Sequence, residues 1–371
     1  MFELELSNGK SIFSFFDRAP ETYTSNRTKH QTGDFRLLPL SEFYKPDSLT
    51  QVYRVDYENL FQVAGSFRTK HGITPSSADQ QSTWLLLVDV QNTFCIPGFE
   101  LYVGGRSGNG AVDDNRRLCA FIYHNLSSIT SISATLDTHY IFQIFHPLFF
   151  VNSLGENPAP YTNIHLEDLV AGKWKFNPAL AGQLGITAEY GQRLVLHYAE
   201  TLAENGKYEL TIWPHHAMLG GIGHALVSAI EEAIFFHSSV RLSQPEFIIK
   251  GNNPFTENYS VLGPEVLNGP KGESLGHHNF KILEKLKKVD RMIIAGQAKS
   301  HCVSWTVEDL LTDIQEVDPM LAQKIYLLED CTSAVVVPGL MDYTDSANAQ
   351  FTKFSEAGMH LVQSTSLIEN W

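Results

Sequence analysis

Apolar positions in this chain fall into short, nearly unbroken runs separated by stretches of helical spacing. Trp84–Val90 (WLLLVDV) is the first run, and Ile129–Leu136, Glu246–Ile249, Arg291–Ala295 and Ile325–Leu328 repeat its character. A strand covered on both faces of a parallel sheet needs this kind of sequence. Between the runs, Asn115–Asn125, Ala225–Phe236, Asn279–Lys288 and Cys302–Ile314 carry apolar residues at helical spacing. Ser346–Val362 does the same through Ala349, Phe351, Phe354, Ala357, His360 and Leu361, and predicts a covering helix. Strand–helix alternation of this kind predicts an α/β fold, a mostly parallel central sheet with helices on both faces in three layers.

Two regions stand outside the alternation. Residues 1–80 are rich in aromatics (Phe13, Phe15, Phe16, Phe43, Tyr44, Tyr53, Tyr57), and their one alternating stretch, Gln51–Tyr57, predicts a strand. The polar run Arg68–Ser82 then reads as a connection. We take 1–80 as an N-terminal extension of unassigned fold and 81–371 as the main domain. Residues 151–211 interrupt that domain with a Pro/Gly/Asn-rich loop (Asn152–Thr162), a helix around Ala188–Ala203 and a strand-like piece, Tyr208–Trp213. They read as an insertion on the edge or top of the sheet, a lid and not a separate domain.

Composition narrows the partners. The 371 residues are 43% hydrophobic with a formal net charge of −14, which disfavours nucleic acid or an anionic membrane surface as a partner. The N-terminal MFELELSNGKSIFSFF lacks the pattern of a signal peptide, and no run approaches the ~20 apolar residues that span a bilayer. A cytoplasmic location is expected. Four scattered cysteines (Cys95, Cys119, Cys302, Cys331) make no disulfide framework and no CxxC pair. Small buried hydrophobes account for three of them.

Candidate chemistry appears where the strands end, because open α/β sheets bind ligands beyond the carboxyl ends of their strands. The first run ends at Asp89, the second at Asp137 and the third at Lys250, and the fourth leads into Cys302 at a helix start. Ser300 reads as the N-cap of that helix, and a thiol in the first helical turn is expected to be largely thiolate. The turn also offers free N–H groups for an oxyanion. A cysteine, a carboxylate and a lysine at one site supply a nucleophile, a proton shuttle and a fixed positive charge. Asp137-Thr138-His139 is a second constellation, since residues i and i+2 of an extended segment point the same way. Trp213-Pro214-His215-His216 offers a third metal ligand at either histidine. Two imidazoles and a carboxylate leave open positions, as in catalytic metal sites, including those of non-haem iron oxygenases. His277 and His278 lie in a Gly-rich loop without an acidic partner at useful spacing.

Taken together, these segments resemble the nicotinamidase branch of the isochorismatase-like cysteine hydrolases. Asp89–Cys95 (DVQNTFC) is similar to the family's DVQNDFC. Asp137-Thr138-His139, followed by His146 and Phe149-Phe150, resembles DxH…H-x-SF, and Trp213–His216 resembles WPxH. Lys250-Gly251 with Tyr259-Ser260 is similar to KG…YS, and Gly296–Val303 (GQAKSHCV) to GVATDxCV. The likeness runs from Trp84 to about Val362 and leaves out 1–80 and roughly 151–211. Departures sit near the pocket: Thr93 replaces an acid, Thr138 an aromatic, Lys299-Ser300 a Thr-Asp pair, and Ala217 a frequent cysteine.

The resemblance implies an isochorismatase-like, Rossmann-like three-layer fold and an amidohydrolase that cleaves a small heteroaromatic carboxamide such as nicotinamide through a Cys302 thioester. Cys302 would be the nucleophile, Asp89 the general acid/base and Lys250 the cation between them. The N–H groups of Ala298 and Cys302 would form the oxyanion hole, with Gln297–Ala298 expected as a cis peptide. Asp137, His139 and His216 would hold a divalent metal, zinc first and iron or manganese next, with His146 a candidate fourth ligand and His215 pointing elsewhere. Phe94, Trp213, Tyr259 and His301 would line the pocket. The resemblance also carries an expectation of a homo-oligomer. The alternatives are an isochorismatase-like hydrolase of another small substrate, or a metal- or ligand-binding homologue without turnover.

Overall fold

The computed structural model describes residues 37–371. Its central sheet has six parallel strands: β1 (Thr83–Val88), β2 (Ser131–Asp137), β3 (Glu246–Lys250), β4 (Arg291–Gly296), β5 (Ile325–Leu328) and β6 (His360–Val362). Their order is β6-β5-β4-β1-β2-β3, so the chain builds outward from β1 in one direction and then returns to build the other half. The reversal between β1 and β4 is the topological switch point where such sheets open a crevice.

Strand periodicity sorts the core into two layers. Trp84, Leu86 and Val88 of β1, with Met292 and Ile294 of β4, point to one face. There they meet helices α5 (Lys281–Lys288), α6 (Ser304–Val317) and α7 (Thr344–Glu356). Leu85, Leu87, Ile293 and Ala295 point to the other face, against α1 (Tyr57–His71), α2 (Gly110–His124) and α4 (Ser228–Arg241). Both faces of β1 are buried throughout, as its unbroken apolar run requires. The 151–211 segment carries α3 (Ala188–Glu204) and two short antiparallel pairings, Phe150–Val151 with Lys175–Phe176 and Asn163–Ile164 with Leu210–Thr211. Its Phe176, Leu194, Val195 and Tyr198 share the core of the first face.

Several elements differ from the sequence reading. Gln51–Tyr57 is not a strand. Asp56 instead caps a fifteen-residue helix, α1, accepting from the Asn59 N–H, and Gly72 ends it in the left-handed conformation. Leu60 and Ala64 seat α1 on the core beside α4, and Leu49, Val55 and Ile73 are buried with them. Phe13, Phe15 and Phe16 lie outside the described residues. The helix expected over Ser346–Val362 is two elements: α7 stops at Glu356, Gly358 (φ 103°) turns the chain, and His360–Val362 pairs in parallel with β5. Apolar residues at helical spacing ran straight into an edge strand, which hid the break. β3 is also an edge strand, with Phe247 and Ile249 exposed, not buried on both faces. No helix among the described residues is long and apolar enough to cross a membrane.

Arg241, at the end of α4, is fully buried. Its guanidinium grips both carboxylate oxygens of Asp79 and donates to the carbonyls of Thr74 and Ile129, tying the link before β1 to the sheet. Asp79→Ala would strand this charge, and removing one partner of a buried pair typically costs about 3–5 kcal/mol. Urea denaturation should show a lower midpoint with an unchanged slope, the product of shift and slope giving a stability loss of that size. A loss below ~1 kcal/mol, the range of an exposed pair, would contradict this reading.

Candidate active site

Sheet register aligns the strand ends. Val88 is paired with Gly296 and Asp137 with Lys250, so the residues that follow β1 and β4 and those that close β2 and β3 stand side by side. Asp89, immediately after β1, has φ 47° and is completely buried. Its N–H donates to Thr135 Oγ1 at 3.0 Å, and that hydroxyl donates back to Asp89 Oδ1 at 2.5 Å. Gln91 braces the neighbouring strand end: its Nε2 donates to the Asp137 carbonyl (2.9 Å) and its Oε1 accepts the Asp137 N–H (2.8 Å).

Lys250 joins these groups. Its Nζ lies 3.0 Å from Asp89 Oδ2, 3.0 Å from Asp137 Oδ1 and 3.5 Å from Cys302 Sγ, and donates to the Asn258 carbonyl at 2.8 Å. The side chain is buried, not snorkelling. Burial works against its charge, but the two carboxylates and the thiol outweigh it and hold the amine well above the usual lysine range. Burial also works to raise Asp137, yet His139 and Lys250 keep that carboxyl well below its ordinary value. Asp89 is pushed up by burial, with Lys250 opposing.

The turn carrying Cys302 departs from expectation. Gly296 (φ 118°) leaves β4 where a Cβ would lie 2.1 Å from the Val88 carbonyl oxygen, so only glycine fits. The Gln297–Ala298 peptide is cis. Lys299–Val303 then form a wider π-type turn ahead of α6, so Cys302 precedes the α-helix, and Ser300 is not its N-cap. Burial pushes the Cys302 thiol well up, as do Asp89 and Asp137, with Lys250 opposing. Burial thus opposes the thiolate that a helix terminus would favour. The Ala298 N–H has no acceptor among the described residues.

On the far side of Asp137, His139, His146 and His216 bring one ring nitrogen each within 4.8 Å of one another. Asp137 Oδ1 is 3.1 Å from His139 Nε2, and Oδ2 is 3.7 Å from His216 Nε2. Backbone carbonyls of His216, Ile141 and Pro214 engage Nδ1 of His139, His146 and His216, which turns the three Nε2 atoms inward. His146 Nε2 is buried with no partner. A Cβ on Gly251 (φ 78°) would sit 2.7 Å from Asp137 Oδ1, so the cradle tolerates no side chain there. Inward imidazoles held by carbonyls, an ionised carboxylate and an orphaned nitrogen together fit a divalent cation. His215 stacks near His146 at 4.4 Å between centroids but is outside the trio, and His278 pairs with Asp313.

Phe94, Trp213, Tyr259, His301, Ala298 and Cys302 line one cavity together with Asp137, His139 and His216. Trp213 Nε1 donates to Tyr259 Oη at 3.1 Å. Two contributors had no motif to mark them. Glu257 lines the cavity and is buried; burial, then Glu265 and Asp137, push its carboxyl well up. Tyr208, from the end of the 151–211 segment, donates to the Ser300 carbonyl at 3.0 Å. An acid two residues before Tyr259-Ser260 was the only available signal for Glu257.

No family model matches the chain, and no curated protein does. Solved structures similar to it include an Acinetobacter baumanii nicotinamidase/pyrazinamidase (19% identity, 77% of this chain and 99% of that one, TM-score 0.44). The yeast nicotinamidase is another (16%, 76% and 99%, 0.46), as is the pyrazinamidase of Pyrococcus horikoshii in complex with zinc (18%, 76% and 99%, 0.40). At identities and TM-scores this low, the likeness adds nothing to what the chain's own topology and side chains carry.

Burial pushes all four thiols up, but Cys302 lines the cavity and is 7% exposed, whereas Cys95, Cys119 and Cys331 are at 0%. Limiting iodoacetamide should therefore label Cys302 first, read by peptide mass spectrometry; earlier labelling of any other cysteine would contradict the site. Elemental analysis should find a divalent metal that falls in both His139→Ala and His146→Ala. Metal content unaffected by either change would remove the metal assignment.

Proposed function

We propose that the chain is a cysteine amidohydrolase acting on a small, flat heteroaromatic carboxamide such as nicotinamide, giving the acid and ammonia. One observation carries this reading: a single buried ammonium, Lys250, touches the carboxylates of Asp89 and Asp137 and the thiol of Cys302, of which Asp137 and Cys302 line one cavity. A packed structural cysteine has no need of such company.

In this reading Asp89 takes the Cys302 proton as sulfur bonds to the amide carbon, and the carbonyl π electrons move to oxygen. The N–H groups of Ala298 and Cys302 face that oxyanion. Collapse of the intermediate breaks the C–N bond, and Asp89 returns the proton to the leaving nitrogen as ammonia departs. Asp89 then takes a proton from water, whose oxygen attacks the thioester. The C–S bond breaks, the acid forms, and the thiol is restored. Lys250 stays charged throughout and offsets the negative charge as it moves between sulfur and carboxylate. Asp137, His139, His216 and His146 would hold the divalent ion, for which zinc suits imidazoles with one carboxylate. Such an ion supplies a Lewis-acidic anchor at the pocket wall. The rings of Phe94, Trp213 and Tyr259 suit a planar substrate.

Ammonia release from nicotinamide tests the proposal. Wild type should turn over, Cys302→Ala should not, and Asp89→Asn should lose on the order of 10²–10⁴ in kcat. Equal ammonia release by Cys302→Ala, or none by metal-replete wild type on nicotinamide or any other small amide, would leave a binding protein and not an enzyme.

A further inference from the structure

We propose that Tyr208 is a positioning residue for the reaction: its hydroxyl holds the Ser300 carbonyl, and through it the backbone N–H groups of the turn that carries Cys302, where an oxyanion would form. The proposal rests on the hydrolase reading above and assigns a task to the 151–211 segment, which lies outside the family resemblance.

A carbonyl oxygen only accepts, so the 3.0 Å contact is a hydrogen bond from Tyr208 Oη to the Ser300 carbonyl. Burial, with Tyr343 adding to it, raises the phenol above its ordinary value, so the hydroxyl keeps its proton. The bond reaches the stretch of backbone on which the chemistry depends. Ala298 and Cys302 supply the proposed oxyanion donors, and Ser300 lies midway between them in the chain. From the main domain, the Ser333 carbonyl accepts the Lys299 N–H at 2.8 Å, and the Val335 N–H donates to Ser300 Oγ at 3.0 Å. Tyr208 holds the same residue by its carbonyl, from the 151–211 segment. Single π-type turns are rare and concentrate at functional sites, and this one is fastened by two separate segments of the chain. Tyr208 does not line the cavity, so its effect on the reaction passes through the turn or through the rings beside it.

Tyr208 is itself fixed. The preceding Lys207 places its Nζ 3.3 Å from Glu265 Oε2, 3.5 Å from Asp309 Oδ1 and 4.1 Å from the centroid of the Trp305 ring. Asp309 and Trp305 belong to α6, into which the Cys302 turn leads, and Glu265 Oε1 accepts the Tyr259 N–H at 3.3 Å. Two residues further on, Leu210–Thr211 pairs with Asn163–Ile164. The Tyr208 ring packs against His301, Trp305 and Tyr343 at centroid distances of 5.1, 5.4 and 5.5 Å. A phenylalanine would keep this packing and lose only the hydrogen bond. The Ser300 carbonyl would then be free to turn with the peptides on either side, and oxyanion donors lose value as they lose preorganisation. Removing a whole oxyanion donor costs on the order of 10²–10³ in kcat, so removing a brace behind the donors should cost about tenfold.

The test measures kcat and KM for nicotinamide in wild type, Tyr208→Phe and Lys207→Met, with the affinity of each for nicotinate and for the aldehyde analogue of nicotinamide. With the aldehyde, Cys302 sulfur bonds to the carbonyl carbon, the π electrons move to oxygen and the thiol proton passes to Asp89, so this probe places an oxyanion at the turn and planar nicotinate does not. Tyr208→Phe should lose about tenfold in kcat, with KM and nicotinate affinity within about twofold of wild type, and should bind the aldehyde about tenfold more weakly. An unchanged kcat or an unchanged aldehyde affinity would overturn the proposal. So would a loss that nicotinate affinity and KM share in full, since the hydroxyl would then shape the pocket and not the turn. If Tyr208→Phe does not fold, Lys207→Met, which keeps the hydroxyl but removes its anchor, decides by the same readouts, with a smaller loss expected. If wild type hydrolyses no amide and forms no adduct, the hydrolase reading fails and this assignment falls with it. An adduct of equal strength in wild type and Tyr208→Phe overturns this assignment alone.

Discussion

One ammonium group holds the site together. Moving Lys250 out of water costs several kcal/mol before any compensation, and the two carboxylates would be comparably costly alone. At 3.0 Å from each, a single cation serves both, and the Asn258 carbonyl takes up another of its donors. Asp137 is thereby held well below its ordinary value where it faces three imidazoles, while burial pushes both Asp89 and Cys302 up. Under the proposed hydrolase reading the two carboxylates take two roles by environment: one is tied to the histidine cluster, the other shuttles a proton.

Lys250 can occupy that position only because the sheet brings β3 beside β2 with Lys250 opposite Asp137, and β1 beside β4 with Val88 opposite Gly296. Two glycines permit the closeness: Gly296 where β4 passes the Val88 carbonyl, and Gly251 where the chain turns under Asp137 and His139. The same switch point opens the cavity, and Tyr208, from the 151–211 segment, donates to the Ser300 carbonyl in the turn that carries Cys302.

The central strands, the strand ends and the residues gathered there were legible in the sequence, because strands covered on both faces leave apolar runs and interrupt them only where chemistry or a turn begins. What was not legible depended on long-range packing. Nothing local says that α1 packs on α4, and the alternation of Gln51–Tyr57 pointed to a strand where Asp56 caps a helix. Burial of β3 on one side only depends on its place at the sheet edge, not on its composition. Ser300 looked like a helix cap because the π-type turn ahead of α6 has no sequence signature; its hydroxyl serves His301 instead.

The most direct measurement is the charge of Lys250 itself. Protein labelled with ¹⁵N-lysine, assigned by comparison with Lys250→Arg, can be titrated by NMR at Nζ. The account predicts that Lys250 stays an ammonium beyond pH ~10.4, the ordinary lysine value, because Asp89, Asp137 and Cys302 all favour its charge. A neutral amine at pH 7, the behaviour of a buried lysine without partners, would contradict it.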